Sequence, residues 1–300
     1  MAKPSITETT PDWNKVFNDE KFIKQYELGE KVTGVFGQAL VDQTDVVAHS
    51  KSHQEHPLVA LDNACGTGVV SSILQNSLDD EVKAKMQLTC ADFSQGMLEY
   101  TRRRIEREGW VNADVKHVDA QDTKLPSDHY SHVFTSFAYM ALPKGLSALD
   151  ETTRILQPGG IIAFTTWIEP GWVPVTTEAI ATLPYDLPWP SAKEFLSFLN
   201  SGEWDNVEWI ESELKKREFG HISVNAVTKH NTMPVAGFVD MTMFMVPVII
   251  EHFWSEKMRQ AHKEKIRPTL EKYLVETYGA DGEVPGEWKA IVSTARKAVA

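Results

Sequence analysis

The 300-residue chain is poor in cysteine and has no long apolar run. Its two cysteines, Cys65 and Cys90, cannot build a disulfide framework, and both lie in apolar stretches where we expect buried free thiols. The most apolar window, residues 241–250, is too short to cross a bilayer. Residues 1–11 lack the apolar core that a secretory signal needs. These absences predict a cytoplasmic protein without a membrane partner.

Positive charge is also scarce. The 42 acidic residues outnumber the 30 basic ones, which gives a net charge of −12 at pH 7. Such a surface repels nucleic-acid phosphates and anionic lipids, so neither is an expected partner. His49, His53 and His56 lie in a polar connector, but no carboxylate or cysteine shares their spacing. We therefore expect no metal site there.

Strand-like apolar runs alternate with helix-like segments between residues 57 and 168. This rhythm predicts a parallel sheet with right-handed crossovers and helices on both faces. The core sheet continues at residues 218–230 and 284–299. The last of these segments could be helix or strand, and the β-branched centre Ile291–Thr294 favours a strand. Residues 12–47, 169–217 and 232–282 are predicted to form a helical cap, so that residues 1–300 make a single domain.

The most informative stretch is the turn Gly66-Thr67-Gly68, which lies between a strand-like run ending at Asp62 and a helix-like segment. A strand, a glycine turn and a helix are typical of the first unit of a nucleotide-binding α/β protein. Glycines let the backbone approach a ligand closely, and the N-terminus of the helix offers free N–H groups. A dinucleotide motif would continue with a third glycine or alanine, but Ser71 occupies that position. This is weak evidence against NAD.

Carboxylates follow three successive predicted strands: Asp62, Asp92 and Asp119. Asp62 would repel a pyrophosphate but attract an amino group or a sulfonium. Asp92 can accept both hydroxyls of a ribose, which suits NAD and an adenosyl compound equally. The three carboxylates together form a line along one edge of the sheet. This line suits an amino-acid end, a ribose and an adenine amino group, as in S-adenosylmethionine.

Four ordered motifs resemble those of class I S-adenosylmethionine-dependent methyltransferases. They are Leu61–Gly68, Cys90–Met97, Asp119–Ala120 with Leu125–Pro126, and Leu156–Gly160. The resemblance implies a Rossmann-like class I methyltransferase fold, with a seven-stranded, mostly parallel sheet, an antiparallel last strand and a helical cap. It implies that the cofactor contacts Asp62, Ala64, Gly66, Gly68, Asp92, Phe93, Met97, Asp119 and Ala120. To these we add Ser136, at the end of the fourth strand, and Tyr26, as a lid hydroxyl for the methionine carboxylate.

Four further segments are similar to fungal gliotoxin-type dithiol S-methyltransferases, which methylate both thiols of reduced epipolythiodioxopiperazines. They span residues 26–34, 108–113, 191–195 and 277–282. This resemblance implies thiol methylation of a small secondary metabolite. Ser136–Met140 and Met241–Val248 depart from the family and are expected near the acceptor, so a different acceptor stays open.

Methyl transfer chiefly requires alignment of the acceptor atom with the methyl group. A thiol is partly ionised near neutral pH and needs no strong base, whereas a phenol or alcohol does. No histidine follows the fifth predicted strand, and His129 and His132 are expected on the surface beside the fourth. We therefore assign no catalytic base. Arg102, Arg103 and Arg104 are expected to form a solvated helix face.

Aromatic and thioether side chains are predicted to wall an acceptor pocket, although Phe17 and Phe244 fit a helical core stripe equally well. The predicted pocket residues are Trp13, Phe17, Phe137, Tyr139, Met140, Trp167, Trp172 and Phe244.

Three other functions stay open at this point. One is an O- or N-methyltransferase of another natural product. The second is an NAD(P)-dependent oxidoreductase, which rests only on Gly66, Gly68 and Asp92. The third is a regulator that binds S-adenosylmethionine without turnover. A nucleic-acid amino-methyltransferase is disfavoured, because Ser136–Tyr139 lacks the two prolines of its motif.

Overall fold

A computed structural model describes residues 20–44, 46–47, 57–199 and 201–299 of the chain, without the side chains of residues 20–25 and 27. Trp13 and Phe17, which were predicted to line the acceptor pocket, lie outside the described residues. The three histidines of the polar connector, at positions 49, 53 and 56, do so as well.

Seven strands form one sheet in the order β3-β2-β1-β4-β5-β7-β6. The strands are β1 (Val59–Asn63), β2 (Gln87–Asp92), β3 (Ala113–His117), β4 (Tyr130–Ser136), β5 (Leu156–Glu169), β6 (Phe219–Pro234) and β7 (Glu283–Lys297). The strands β1 to β5 pair in parallel, and β7 pairs antiparallel with both β5 and β6. This architecture confirms the predicted Rossmann-like fold and its antiparallel strand.

The helices flank the sheet and build the cap. They are α1 (Glu20–Gln43), α2 (Val69–Ser77), α3 (Asp80–Lys83), α4 (Gln95–Glu108), α5 (Gly145–Ile155), α6 (Trp172–Ala181), α7 (Ala192–Leu199), α8 (Val207–Lys216), α9 (Val235–Phe253), α10 (Glu256–His262) and α11 (Ile266–Tyr278). Short 3₁₀ helices occur at Tyr139–Ala141 and Lys263–Lys265.

The central strand β1 lies where the strand order changes direction. Its neighbours are β2 on one side and β4 on the other, with Asp62 opposite both Cys90 and Phe134. Open α/β sheets bind ligands at such a switch point, beyond the carboxyl ends of the strands. The loops after β1, β2 and β4 therefore meet at the edge where a ligand site is expected.

Two residues set the ends of the helix that follows β2. The Ser94 hydroxyl accepts a hydrogen bond from the Met97 backbone N–H at 3.1 Å and so caps the N-terminus of α4. Gly109, with φ of +64°, ends the helix in the left-handed conformation. These two boundaries fix how α4 lies against the loop after β1.

The last strand is a strand rather than a helix, as its β-branched centre predicts. The three strands β5, β6 and β7 are long, with 14, 16 and 15 residues, and each extends beyond its central apolar residues. The segment Pro158–Gly160, part of the fourth family motif, lies within the described bounds of β5. Both cysteines are buried and free, as expected.

The helix α9 extends the ten-residue apolar window of the sequence to 19 residues. By length and composition alone this helix could cross a membrane. Its buried residues, such as Phe238, Val246 and Ile249, belong to the same apolar clusters as residues of the sheet and the other cap helices. Pro247 lies inside the helix, where its missing N–H weakens one turn. The helix therefore packs as a central part of the cap.

Candidate active site

The glycine turn after β1 is held by α4. Thr101 donates its hydroxyl to the Gly66 carbonyl at 2.8 Å, and Arg104 Nη1 donates to the Thr67 carbonyl at 3.1 Å. Both Gly66 and Ala64 adopt positive φ, +54° and +57°. For alanine this conformation is costly, about 1 kcal/mol or more. Such strain next to a cavity is typical of a functional loop.

Gly68 lets the glycine turn approach α4. It lines none of the described cavities and packs against Thr101 of α4 and against Trp110, the second residue after this helix. A Cβ here would lie 3.1 Å from Trp110 Cη2 and 3.2 Å from Thr101 Cγ2, and φ is +79°. The contact of Gly68 with the cofactor stays a prediction.

Asp92 ties the loop after β2 to the glycine turn. One carboxylate oxygen accepts the Ser94 N–H and the other accepts the Gly66 N–H, each at 2.9 Å. The side chain is buried, and this burial raises its pKa although backbone hydrogen bonds from Ser94, Gly66 and Phe93 oppose the rise. A carboxylate has about four acceptor positions, so Asp92 can still accept a ligand hydroxyl.

A cavity of about 290 Å³, here called the turn cavity, lies beyond the ends of β1, β2 and β4. It is lined by Tyr26, Ala64, Gly66, Asp92, Phe93, Met97, Val118, Asp119, Ala120, Gln121, Ser136, Phe137, Ala138, Ala141, Leu142 and Pro143. Nine of the eleven residues predicted for the cofactor line it. The other two are Gly68 and Asp62, of which Asp62 lines a smaller pocket.

This smaller space, the polar pocket, has a volume of about 30 Å³ and lies behind the turn. Asp62 and Thr67 both line it. The Asp62 carboxylate accepts the backbone N–H and the hydroxyl of Ser71, at 3.0 and 2.7 Å. Burial raises the pKa of Asp62 from 3.8 to about 6, against the lowering effect of these bonds. Among the described residues, the buried Thr67 Oγ1 has no hydrogen-bond partner.

A third space, here called the cap cavity, has a volume of about 180 Å³. It is lined by Tyr26, Gly29, Val32, Thr33, Phe137, Met140, Ala141, Trp167, Pro170, Trp172, Phe195, Leu196, Leu199, Met241, Phe244, Met245 and Trp288. Its described walls contain no His, Asp, Glu, Lys or Arg side chain. This surface suits an apolar molecule.

The turn cavity and the cap cavity share three residues: Tyr26, Phe137 and Ala141. Tyr26 comes from α1, and its ring packs edge-on against Phe244 with 6.2 Å between the centroids. Burial, together with the nearby Asp92 and Glu30 carboxylates, raises the pKa of Tyr26 to about 12. Its hydroxyl is therefore neutral at physiological pH. Because they share a wall, the two cavities are adjacent.

Tyr139 does not line any of these cavities, so its predicted role in the acceptor pocket is wrong. The side chain is fully buried and stacks on Trp204, with 5.3 Å between the ring centroids. Its hydroxyl lies 2.7 Å from Thr152 Oγ1 and 3.3 Å from Thr135 Oγ1. Tyr139 is therefore a core residue on the other side of the 3₁₀ helix from Met140, which does line the cap cavity.

Two other surface predictions need correction. His132 is buried in β4, with Nδ1 3.1 Å from Ser131 Oγ, whereas His129 is exposed as expected. Neither histidine lines a cavity. Arg102 and Arg103 are solvated, but the Arg104 side chain is only 12% exposed and pairs with Glu30 and Glu108.

Several lining residues were not predicted. Gln121, Leu142 and Pro143 complete the turn cavity, and Trp288 on β7 and Phe195 on α7 complete the cap cavity. Met241 and Met245 lie in the segment already expected to face the acceptor. The contact of Arg104 with the glycine turn was not predicted either. Its spacing of three residues from Thr101, which also contacts the turn, places both side chains on one helix face and could have indicated it.

Residues 60–160 match the family model described as a methyltransferase domain. The methyltransferase tpcH of Aspergillus fumigatus is 40% identical over 283 residues, which cover 94% of this chain and 99% of the relative. The acetylaranotin bis-thiomethyltransferase of Aspergillus terreus is 41% identical over 282 residues, which cover 94% of this chain and 96% of the relative.

The solved structure of the YcgJ protein from Bacillus subtilis matches with a TM-score of 0.50 at 12% identity, over 87% of this chain and 98% of that one. This match supports the fold alone. The identity to the two fungal enzymes extends over nearly their whole length and decides the family, against the oxidoreductase alternative. The chain belongs to the S-adenosylmethionine-dependent methyltransferases.

Proposed function

We propose that this methyltransferase transfers a methyl group to the thiol of a small apolar secondary metabolite, of the epipolythiodioxopiperazine dithiol type. The cofactor would occupy the turn cavity and the polar pocket, and the acceptor the cap cavity. One observation carries the proposal: the cap cavity adjoins the turn cavity, and its described walls offer no basic side chain. A nucleophile that needs little deprotonation by the enzyme suits such a site.

The residues around the turn fit S-adenosylmethionine. The polar pocket has about the volume of one water molecule and contains the Asp62 carboxylate and the unpartnered Thr67 hydroxyl. These groups suit the charged amino group of the methionine end. Asp92 can accept a ribose hydroxyl, and Asp119, which also lines the turn cavity, suits the adenine amino group. When bound, the cofactor supplies an electrophilic methyl group on a sulfonium.

The chain's own residues would align the acceptor and exclude water. The cap cavity presents the rings of Phe137, Trp167 and Trp172 and the thioethers of Met241 and Met245. Aromatic faces attract a sulfonium, and a dry wall lets the thiolate react without a hydration shell. These side chains act by position, since a correctly oriented pair of reactants gains a large rate advantage.

The choice of sulfur over oxygen rests on acid–base chemistry. A thiol with a pKa of about 8.5 supplies some thiolate at neutral pH, whereas a phenol with a pKa of about 10 supplies far less. Tyr26, with a pKa of about 12, is a hydrogen-bond donor rather than a base. The name of the Aspergillus terreus relative, which specifies thiomethylation, supports the same choice. An amine acceptor is the second candidate, because a neutral amine also needs no strong base.

An acceptor panel tests the proposal. The purified protein is incubated with S-adenosylmethionine and matched dithiol, monothiol, phenol and amine compounds on one apolar scaffold, and products are read by mass. We expect methylated thiols and little methylated phenol. Methylation of the phenol or amine with no methylated thiol would contradict the proposal. Binding of S-adenosylhomocysteine, measured by calorimetry, tests the cofactor site separately.

A further inference from the structure

Arg104 joins three elements around the turn cavity. Its Nη1 atom donates to both carboxylate oxygens of Glu30 on α1, at 3.0 and 3.1 Å. The same atom donates to the Thr67 carbonyl in the glycine turn at 3.1 Å. Its Nε atom donates to Glu108 on α4 at 2.8 Å. One guanidinium therefore connects α1, α4 and the turn.

Glu108 fixes the orientation of this guanidinium. Its second carboxylate oxygen accepts the Ser72 hydroxyl and the Trp110 indole N–H, each at 2.9 Å. Burial raises the pKa of Glu108, but the two hydrogen bonds and the Arg104 charge outweigh it and lower the pKa overall. Glu108 is thus a fixed anion. The Trp110 ring lies 5.9 Å from the guanidinium carbon and completes the support.

Glu30 lies four residues after Tyr26, so both side chains share one face of α1. Tyr26 lines the turn cavity, the cap cavity and the polar pocket. Its ring also lies close to the glycine turn, since a Cβ at Gly66 would lie 3.7 Å from Tyr26 Cε1. The Glu30–Arg104 pair therefore acts on α1 one turn away from Tyr26, which lines all three spaces as Phe137 does.

The two halves of α1 are held in different ways. The C-terminal half packs closely on α2, where a Cβ at Gly37 would lie 3.0 Å from Ile73 Cδ1. Gln43 at its end donates to the Ser223 and Val292 carbonyls of the sheet. The half that carries Tyr26 is held by the edge-on contact of its ring with Phe244 of α9 and by the ion pair with Arg104 of α4. The Arg104 side chain is 12% exposed and that of Glu30 20%, so this pair is screened less than a surface one.

We propose that Glu30 and Arg104 are a positioning pair that holds Tyr26 over the junction of the turn cavity and the cap cavity. Because Arg104 also binds the Thr67 carbonyl, the pair links closure of α1 to the conformation of the glycine turn. Loss of the pair releases the N-terminal half of α1 and opens both cavities. The proposal requires only that the turn cavity holds the cofactor, and it is independent of the acceptor atom.

The test uses Glu30→Gln, which keeps the size of the side chain and removes its charge. We expect the Kd of S-adenosylhomocysteine to rise about tenfold, as the loss of one charge-assisted hydrogen-bonded pair implies. Its dissociation rate in stopped flow should rise with it. In the protein without ligand, the amides of α1 before residue 34 should exchange with deuterium faster, while those of α4 keep their rates.

Lys31→Gln is the matched control, because Lys31 is the next residue on α1 and is exposed. It should leave the Kd and the exchange rates at wild-type values. Arg104→Lys keeps the charge but loses the planar guanidinium, so we expect an intermediate Kd.

A purely structural role would give a different pattern. Glu30→Gln would then lower the melting temperature and leave both the Kd of S-adenosylhomocysteine and the exchange of α1 unchanged, which would overturn the proposal. Should Glu30→Gln not fold, Arg104→Lys decides in the same way. If no thiol is methylated but Glu30→Gln still raises the Kd of S-adenosylhomocysteine, the proposed acceptor is wrong and the positioning pair stands.

Discussion

Phe137 stacks on Trp167 at the wall between the turn cavity and the cap cavity, with 4.0 Å between the ring centroids and 15° between the ring planes. Phe36 of α1 packs edge-on against both rings, at 5.8 and 5.5 Å. Phe137 also has a φ of +55°, and its N–H donates to both the carbonyl and the hydroxyl of Thr165. Backbone and ring are thus fixed together, and the ring separates the two cavities at a set position.

Replacement of Phe137 by alanine should merge the turn cavity with the cap cavity. We expect kcat/KM for the acceptor to fall by about a hundredfold, because a misplacement of about 1 Å has that effect on an aligned displacement. The Kd of S-adenosylhomocysteine should change by less than about threefold, since the hydrogen-bonding groups of the turn remain. Steady-state kinetics and calorimetry measure the two quantities.

Two substitutions of the partner ring serve as controls for the stack. Trp167→Phe keeps a stacked aromatic ring and should retain most of the activity, whereas Trp167→Leu should resemble Phe137→Ala. Equal activity of the phenylalanine and leucine variants would show that the stack does not set the position of Phe137.

We expect Asp62 to make cofactor binding dependent on pH. Its pKa is raised by burial from 3.8 to about 6, so the free protein holds the protonated form more tightly than the unfolded chain does. The stability that this group adds is therefore present below about pH 4 and lost as the pH rises through about 6. A cationic ligand group needs the ionised form, so binding should weaken as the pH falls through 6.

Calorimetric titration of S-adenosylhomocysteine between pH 5 and pH 8 measures this effect. We expect the Kd to rise below about pH 6 with a slope approaching tenfold per pH unit, the limit for one proton. Asp62→Asn should bind more weakly at pH 8 but with a nearly flat pH profile. If the slope persists in Asp62→Asn, the titrating group is not Asp62, which would contradict the assignment. Asp92, whose pKa is also raised, would then be the candidate.

The sequence predicted the sheet and its carboxyl edge well, because these depend on local signals. The strand periodicity, the glycine turn and the acidic strand ends each act within a few residues. The wall residues depend on contacts between distant segments. Trp288 reaches the cap cavity because β7 runs antiparallel to β5, which brings it to 5.9 Å from Trp167 by ring centroids. The residue pattern of β5 or of β7 alone does not predict that these two rings lie close together.

The error at Tyr139 has a local cause. The positive φ at Phe137 turns the chain after β4, so that Phe137 and Met140 face the cavities while Tyr139 enters the core. A non-glycine residue rarely adopts this conformation, and the residue type gives no sign of it. The position of Tyr139 shortly after the end of β4 therefore does not predict the direction of its side chain.

Tyr139→Phe tests the revised position. The change removes a hydroxyl that lies within hydrogen-bonding distance of Thr152 and Thr135 in the core. We expect the free energy of unfolding to fall by about 1–2 kcal/mol, the usual cost of leaving buried polar partners unsatisfied. The KM for the acceptor and the Kd of S-adenosylhomocysteine should not change. Chemical denaturation and kinetics measure both effects, and a raised KM at unchanged stability would return Tyr139 to the pocket.

We also expect the walls of the cap cavity to determine how the rate depends on pH. No described residue that lines it titrates between pH 6 and 9, since Tyr26, its most acidic group, has a pKa of about 12. With saturating cofactor, kcat/KM should therefore follow the ionisation of the acceptor thiol. It should rise about tenfold per pH unit and level off at the acceptor's own pKa, near 8.5 for an ordinary thiol.

Two acceptors that share a scaffold but differ in thiol pKa distinguish this from an enzyme base. The plateau should begin at a lower pH for the more acidic thiol, and Tyr26→Phe should leave its position unchanged. A plateau at one fixed pH for both acceptors would instead identify a titrating group of the protein. If the acceptor controls its own ionisation, we expect the enzyme to contribute alignment and a dry surface, with the aromatic and methionine side chains of the cap selecting the molecule.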